Sequence, residues 1–298
     1  MFSDNKPNGI SKALTTVASD SLIQKERIVC TIHGYSSTVD SSVATTFESI
    51  PLEYVEDQRT VNDIKADKWL LPLLRRLGAH RVLDAGCGVG QTVERLREHG
   101  FDAYGYDLLE NVPFWQRLNR ATDRYIITAP VDPIIPLADG AVDGVFSFGV
   151  IEHVGTSDGK STRLADYHEI RRRWTSEMLR VVRPGGFLML AGPNRCFPID
   201  TAHGPDAAAS HIETWFARKA GLTLHRTWGP NFLWSYSDVE RYVDGKASTI
   251  EALSVHNLMF FSRVPWPFKF LAEKYVQYLP AWLRKSGFNP WMAALITK

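Results

Sequence analysis

A run of alternating glycines points most directly to ligand binding. Residues Val82 to Thr92 read VLDAGCGVGQT, in which an acid, Asp84, is followed by Gly86, Gly88 and Gly90. Glycines at these positions remove Cβ atoms where the chain turns sharply after a strand, so a bulky ligand can lie against bare peptide groups. The loop is either a tight turn alone or a site for a nucleotide-like cofactor.

The neighbouring residues favour a cofactor that carries an adenosine. No Lys-Ser or Lys-Thr follows the last glycine, as a phosphate-binding P-loop requires. A NAD-type Gly-x-Gly-x-x-Gly pattern would need a glycine where Gln91 stands. Asp107 ends the next predicted strand and follows Gly90 at about the spacing, ~20 residues, at which an acid grips a ribose diol in nucleotide-binding folds.

A parallel sheet would bring these residues together. Apolar runs predict strands at 81–86, 102–107, 125–131, 143–149 and 186–192, and helical patterns separate most of them. The spacing of apolar residues also predicts a helix from 61 to 77, divided at Pro72 and ended by Gly78. A capping box is predicted at Ser237 to Glu240, with a helix from about 238 to 244.

The chain is expected to have three parts. Residues 1–58, rich in Ser, Thr and Asp, are predicted to form a loosely ordered arm, and 59–255 to form the cofactor-binding domain. The segment 256–298 is rich in aromatic residues and includes a closing strand at 290–298. Its aromatic side chains belong to the core, to a lid over an apolar acceptor, or to a face that contacts a membrane surface, because lysines and arginines alternate with them.

Four segments resemble the class I S-adenosylmethionine-dependent methyltransferases. They are VLDAGCGVG, YGYD, VDGVFSFGVIEHV at 142–154 and MLRVVRPGGFLMLAGPNR at 178–195. The resemblance implies an α/β fold with a doubly wound, mostly parallel, seven-stranded Rossmann-like sheet, an N-terminal arm and an aromatic C-terminal extension. It also implies S-adenosylmethionine as the cofactor.

The same resemblance assigns cofactor-binding residues. It implies that the glycine-rich loop and Asp84 lie along the methionine part of the cofactor, that Asp107 holds the ribose, and that Asp132 meets the adenine amino group. The expected cofactor-binding residues are Asp84, Gly86, Cys87, Gly88, Gly90, Asp107, Leu108, Asp132 and Phe148.

A base at the carboxyl ends of the strands would assist methylation of an oxygen. A sulfonium donor needs chiefly an aligned acceptor and exclusion of water, so no metal ligands are expected. His153, after the fourth predicted strand, is a candidate base, or else it shapes the cofactor pocket. Asp200 and His203, after the fifth predicted strand, form a second candidate base with an orienting partner. Asn194 and Arg195 could donate hydrogen bonds to the methyl acceptor. The alternative is that this segment is a surface loop whose polar groups cap the following helix.

Several motifs of other enzyme classes are missing, which limits the class of methyl acceptor. Residues 149–152 read GVIE where DNA amino-methylating enzymes carry Asn or Asp before Pro-Pro-Tyr, and Cys196 follows arginine rather than the proline of cytosine-methylating enzymes. The acidic pair of aminopropyl transferases is also missing from this position. Because 34 basic residues nearly balance 33 acidic ones, the charge gives no footprint for nucleic acid.

These observations predict a biosynthetic methyltransferase that acts on an oxygen of a small-molecule, sugar or lipid-linked acceptor. A catalytically inactive, cofactor-binding scaffold or regulator is the alternative. With 298 residues, 44% of them hydrophobic, the chain can bury one substantial core. A sparse set of three cysteines, no secretory signal and no apolar run near the roughly 18 residues of a membrane helix predict a cytoplasmic location.

Overall fold

The computed structural model describes residues 52–108, 111–121, 123–128, 134–157, 162–200, 203–205, 209–220, 223–224, 227, 232–259, 261, 264 and 268–298. Asp132 and residues 1–51 of the predicted arm lie outside this part of the chain. Residues 52–58 of that arm belong to a helix that continues to Lys65.

Nine strands form two sheets in the described residues. They are β1 (Arg81–Ala85), β2 (Asp102–Leu108), β3 (Tyr125–Thr128), β4 (Val142–Phe148), β5 (Val182–Pro193), β6 (Ile199–Asp200), β7 (Thr223–Leu224), β8 (Thr249–Ala252) and β9 (Trp291–Thr297). The central sheet has the order β3-β2-β1-β4-β5-β9-β8, and β6 pairs with β7. Strands β1 to β5 run parallel, whereas β9 runs antiparallel to both β5 and β8. The predicted seven-stranded, mostly parallel sheet is confirmed.

The helices lie on both faces of this sheet. They are α1 (Leu52–Lys65), α2 (Leu71–Arg76), α3 (Gln91–Glu98), α4 (Val112–Arg117), α5 (Tyr167–Val181), α6 (His211–Ala220), α7 (Tyr236–Val243) and α8 (Phe268–Tyr278). Neighbouring strand residues point to opposite faces, so that Leu83 and Val145 join one buried cluster and Val82 and Phe146 join the other.

The interruption between α1 and α2 differs from the prediction. A π-helical turn at Ala66–Leu70 joins the two helices, and Pro72 lies in the first turn of α2. The helical hydrogen bonds continue through the turn, since the Leu71 amide donates to the Ala66 carbonyl, and Pro72 has no amide hydrogen to donate to the preceding turn. The interruption is thus a π-helical turn that ends two residues before Pro72.

The capping box of α7 also lies earlier than predicted. Ser235 is the N-cap, and its amide donates to Asp238 Oδ2 at 2.9 Å while its hydroxyl accepts from the Asp238 amide. Two Ser-x-x-acid patterns overlap in this segment. The earlier one is used because a helix that begins at Tyr236 buries Tyr236, Val239, Tyr242 and Val243 together.

The C-terminal segment is part core and part surface. Strand β9 is buried from Met292 to Ile296, and Val276 and Leu279 are buried near the end of α8. Other large apolar side chains here are exposed: Phe268, Phe270, Leu271, Tyr275, Tyr278, Trp282 and Phe288. No helix among the described residues combines the length and the apolar character needed to cross a membrane.

Candidate functional site

The loop after β1 is held in a conformation that favours glycine. Gly86, Gly88 and Gly90 have φ angles of 92°, 53° and 77°. A Cβ on Gly86 would collide with the Val150 side chain, whereas a Cβ on Gly88 would meet nothing within 4 Å. Gly86 therefore lets the chain after β4 pack closely, and Gly88 presents bare backbone to open space.

Beside this loop lies a cavity of about 280 Å³. It opens at the carboxyl ends of β1 and β4, where parallel α/β sheets bind ligands. Five of the expected cofactor-binding residues line it: Asp84, Gly86, Cys87, Gly88 and Phe148. The rest of its wall comes from Asn62, Lys65, Ala66, Leu70, Val89, Thr92, Asn111 and Phe114.

Asp107 lies beside the cavity and fastens the loop. Its Oδ2 accepts from the Gly88 amide at 2.5 Å, and its Oδ1 accepts from the Leu108 amide at 2.7 Å. The indole of Trp115 donates to the Gly88 carbonyl at 2.7 Å. Both peptide groups of Gly88 are thus fixed in orientation before any ligand arrives.

Two groups of opposite charge type face the cavity. Burial raises the pKa of the Asp84 carboxyl well above its usual range, and the negative charge of Asp107 raises it further. Burial lowers the pKa of the amine of Lys65, which also lines the cavity. A ligand that brings both a cation and an anion would therefore stabilise the charged forms of both residues.

Lys65 and Asn62 were missed by the sequence analysis. They lie three residues apart, on one face of α1, and the only available signal was this helical spacing next to a predicted apolar stripe. Helix α1 precedes the first strand, and no motif relates it to the glycine-rich loop.

Cys87 does not have the properties of a nucleophile. Burial raises the pKa of its thiol well above the usual range, and the charges of Asp107 and Asp84 act in the same direction. The thiol form therefore prevails, and Cys87 contributes packing under the loop.

An aromatic wall closes the cavity at the end of β4. Phe148 meets the edge of Trp69 with ring centroids 5.6 Å apart, and it packs against Phe146 at 5.3 Å. The Trp69 indole donates to the Ser254 carbonyl at 2.8 Å, which ties the π-helical turn to the segment after β8.

The three candidate catalytic residues come together beyond β4 and β5. His203 Nδ1 lies 2.9 Å from Asp200 Oδ2, and the His153 and His203 rings have centroids 5.3 Å apart. Glu152, which is fully buried, brings its Oε1 to 3.7 Å from His203 Nε2. The sequence suggested His153 and the Asp200–His203 pair as alternatives, and the structure places them in one cluster.

Asn194 and Arg195 have different surroundings. Asn194 is buried, and its Nδ2 donates to the carbonyls of Ser286 and Asn289 while its Oδ1 accepts from the Cys196 amide. Its amide is thereby used to join β5 to the turn before β9.

Arg195 faces a second cavity, of about 530 Å³. Other residues that line this cavity include Arg163, His168, Asp238 and Arg241. Three of the lining residues are arginines, and Asp238 lies 3.9 Å from the Arg195 guanidinium.

Comparison with known proteins gives a family for the central part of the chain. Residues 83–190 match a family model described as a methyltransferase domain. Glycine N-methyltransferase of Rattus norvegicus is 32% identical over 165 residues, which cover 51% of this chain and 53% of that protein. Malonyl-[acyl-carrier protein] O-methyltransferase of Pectobacterium atrosepticum is 28% identical over 138 residues, 46% of each chain. The chain spans about half the length of the curated relatives it matches.

Two solved structures, one of a bacterial protein and one of an animal protein, align with part of this chain. A S-adenosylmethionine-dependent methyltransferase from Mesorhizobium loti aligns at 16% identity and a TM-score of 0.42, covering 76% of this chain and 96% of that one. Phosphoethanolamine N-methyltransferase 2 of Haemonchus contortus, in complex with S-adenosylmethionine, aligns at 16% identity and a TM-score of 0.43, covering 76% of this chain and 51% of that one.

The residues that match the methyltransferase-domain model include the glycine-rich loop after β1 and strands β2, β3 and β4. Residues 83–190 of this chain are therefore similar to a methyltransferase domain.

Proposed function

We propose that the chain binds S-adenosylmethionine in the cavity beside the glycine-rich loop and transfers its methyl group to an oxygen of a small-molecule, sugar or lipid-linked acceptor. The observation that carries this proposal is the pair formed by Asp84 and Lys65, which face one cavity lined by bare backbone. An amino acid moiety with one ammonium and one carboxylate complements such a pair.

Asp107 would hold the ribose from its place beside the loop. A carboxylate offers about four acceptor positions. The two hydrogen bonds from the Gly88 and Leu108 amides orient the group and allow ribose hydroxyls to donate to its other lone pairs.

Methyl transfer from a sulfonium depends chiefly on alignment of the acceptor and exclusion of water from the site. Bound S-adenosylmethionine would supply an activated methyl group on a sulfonium. Phe148 and Trp69 would exclude water from the end of the cavity that faces the acceptor. His203, with Asp200 on its Nδ1, is placed to accept the proton of an acceptor hydroxyl at Nε2.

An oxygen acceptor is favoured by this cluster and not by the relatives, whose names include both N- and O-methyltransferases. A hydroxyl of high pKa must lose a proton as it is methylated, whereas a neutral amine can react first. A half-buried histidine held by a carboxylate suits the first case. Arg195 would contact an acidic or hydroxylated part of the acceptor from the neighbouring cavity.

Calorimetric titration tests the proposal. The chain is expected to bind S-adenosylmethionine and its demethylated product, and Asp107→Ala is expected to weaken binding by about 1.5–3 kcal/mol, the scale for a charged hydrogen-bond partner. Asp107→Asn retains one carbonyl oxygen as an acceptor and should lose less. A screen of sugar, lipid and phenolic acceptors for labelled methyl transfer then identifies the substrate class. Absence of cofactor binding by the wild type would refute the proposal.

A further inference from the structure

Glu152, His153 and His203 form a ligand set for a metal ion. Each offers one ligand atom, and the three atoms all lie within 4.8 Å of one another. The residues come from the turn after β4 and from the segment after β6, so tertiary structure brings them together. Ligand atoms that share a Zn²⁺ at 2.0–2.2 Å lie ~3 to 4 Å apart, and Glu152 Oε1 and His203 Nε2 are 3.7 Å apart.

The Glu152 carboxylate is the strongest sign that a cation belongs here. The side chain is fully buried, and neither Oε1 nor Oε2 accepts a hydrogen bond from the described residues. A buried carboxylate is costly unless it is paired, hydrogen-bonded or bound to a metal. Gly192 in β5 has no Cβ, and a Cβ there would lie 3.0 Å from Glu152 Oε2, so the backbone leaves room for this group.

The nearby buried cation makes no hydrogen bond to that carboxylate. Arg171 is completely buried, but its guanidinium donates to the backbone carbonyls of Glu152, Val154 and Phe232 at 2.7 to 2.9 Å. It therefore supports the turn that carries Glu152 and leaves the carboxylate oxygens to another partner.

Asp200 holds the His203 ring through a contact to Nδ1, and metal-binding histidines are commonly held by a carboxylate in this way. Its Oδ2 lies 2.9 Å from Nδ1, which leaves Nε2 directed toward Glu152. A carboxylate on the second ring nitrogen fixes the tautomer and raises the basicity of a metal ligand.

We propose that Glu152, His153 and His203 bind one divalent transition-metal ion, Zn²⁺ or a neighbouring first-row ion, with Asp200 as a positioning residue. Two imidazoles and one carboxylate match such ions in ligand type, and three protein ligands leave a coordination position open. Metal binding does not depend on the proposed function. Its use in catalysis does: with His203 Nε2 on the metal, the open position would bind the acceptor hydroxyl in place of the His203 base, the metal would lower the pKa of that hydroxyl, and its proton would leave to solvent water.

The test is equilibrium dialysis of the metal-stripped full chain against Zn²⁺ and Co²⁺, without cofactor or acceptor. One bound ion per chain is expected, and Co²⁺ should show visible absorption bands. Glu152→Gln and His203→Ala should abolish the bands, and Asp200→Asn should weaken affinity roughly 10–100-fold, as loss of an orienting partner does. His211→Ala, at the exposed start of α6, is the matched histidine control and should bind as the wild type does.

Two results would overturn the proposal. One is the absence of stoichiometric binding by the wild type. The other is equal binding by the wild type, Glu152→Gln and His203→Ala, which would place the metal elsewhere. Circular dichroism and titration with the demethylated cofactor check that each variant is folded. Metal binding without methyl transfer would refute the proposed function alone, and methyl transfer without metal binding would refute the metal site alone.

Discussion

Asp84 is the residue whose surroundings have the clearest consequence for binding. Burial, aided by the charge of Asp107, raises the pKa of its carboxyl, so the ligand-free site disfavours the carboxylate form. A cationic ligand favours the carboxylate instead. Cofactor binding is therefore expected to release a proton from Asp84.

This coupling predicts that cofactor affinity falls as the pH is lowered through the raised pKa of Asp84. Calorimetry in buffers with different ionisation enthalpies would measure the released proton, and Asp84→Asn should abolish both the release and the pH dependence. The stability of the ligand-free protein should change in the opposite sense. Because the folded pKa is raised, the stabilising contribution of Asp84 is complete below the usual value of 3.8 and is lost as the pH rises through the raised pKa. A pH-independent affinity in the wild type would contradict this prediction.

Gly86 offers a second prediction at the scale of single residues. Gly86→Ala should lower the free energy of unfolding by more than Gly100→Ala does. Both glycines have positive φ, 92° and 84°, so both variants incur backbone strain, but only the first collides with Val150. The difference should be about 1–3 kcal/mol, the usual cost of overpacking. Urea denaturation measures it, and equal losses would show that the chain after β4 moves away without cost.

At the scale of elements, the junction of α1 with the π-helical turn brings a helix to the cofactor cavity. Asn62 and Lys65 lie just before the turn, and Ala66 and Leu70 lie within it, and all four line the cavity. The extra residue in a π-helical turn changes the direction of the side chains that follow it, and such turns are frequent at functional sites.

Lys65→Met is expected to weaken cofactor binding while leaving the fold intact. The substitution keeps most of the apolar length of the side chain and removes the amine that faces the cavity. Calorimetry should show a loss of about 1.5–3 kcal/mol for the cofactor, as for a charged hydrogen bond. An adenosine fragment without the amino acid moiety should bind both forms equally. Equal loss for both ligands would show that Lys65 acts on the cavity as a whole.

Local sequence patterns predicted the strands and the loop after β1 well, because a single kind of residue, apolar or glycine, determines each of them. Apolar runs located the first five strands, and the glycine-rich loop was recognised because alternate glycines have few other uses. The start of α7 was misplaced because two Ser-x-x-acid patterns overlap, and only burial of Tyr236 and Tyr242 distinguishes them. Lys65 and the role of Glu152 depended on contacts between distant segments, which no local pattern contains.

At the scale of the whole molecule, α8 and the turn after it present an apolar and basic surface. Phe270 is 52% exposed and Trp282 is 77% exposed, and Lys274 lies 5.7 Å from the Phe270 ring. Aromatic side chains among lysines suit the interface of an anionic membrane, and we propose such contact, as a lipid-linked acceptor would require.

The paired variant Phe270→Ser and Trp282→Ser is expected to lose binding to anionic lipid vesicles. Co-sedimentation measures the effect, and binding by the wild type should weaken with salt because each basic residue contributes about 1 kcal/mol near a charged surface. Trp215→Ser is the matched control, since Trp215 is 61% exposed and lies on a different helix, α6. Equal sedimentation of all three proteins would contradict a membrane role for α8.

Strand β9 gives the folding of this chain an order that differs from its order of synthesis. It lies between β5 and β8, so β8 has no place in the central sheet until residues 291–297 have been made. The same strand completes the edge beside β5, where Asn194 is joined to the turn at 286–289. On the ribosome, β1 to β5 can assemble around the glycine-rich loop well before this edge is complete. The nascent chain would then form the cavity beside that loop before the edge at β9 is complete, and a ligand bound in this cavity would stabilise the domain during synthesis.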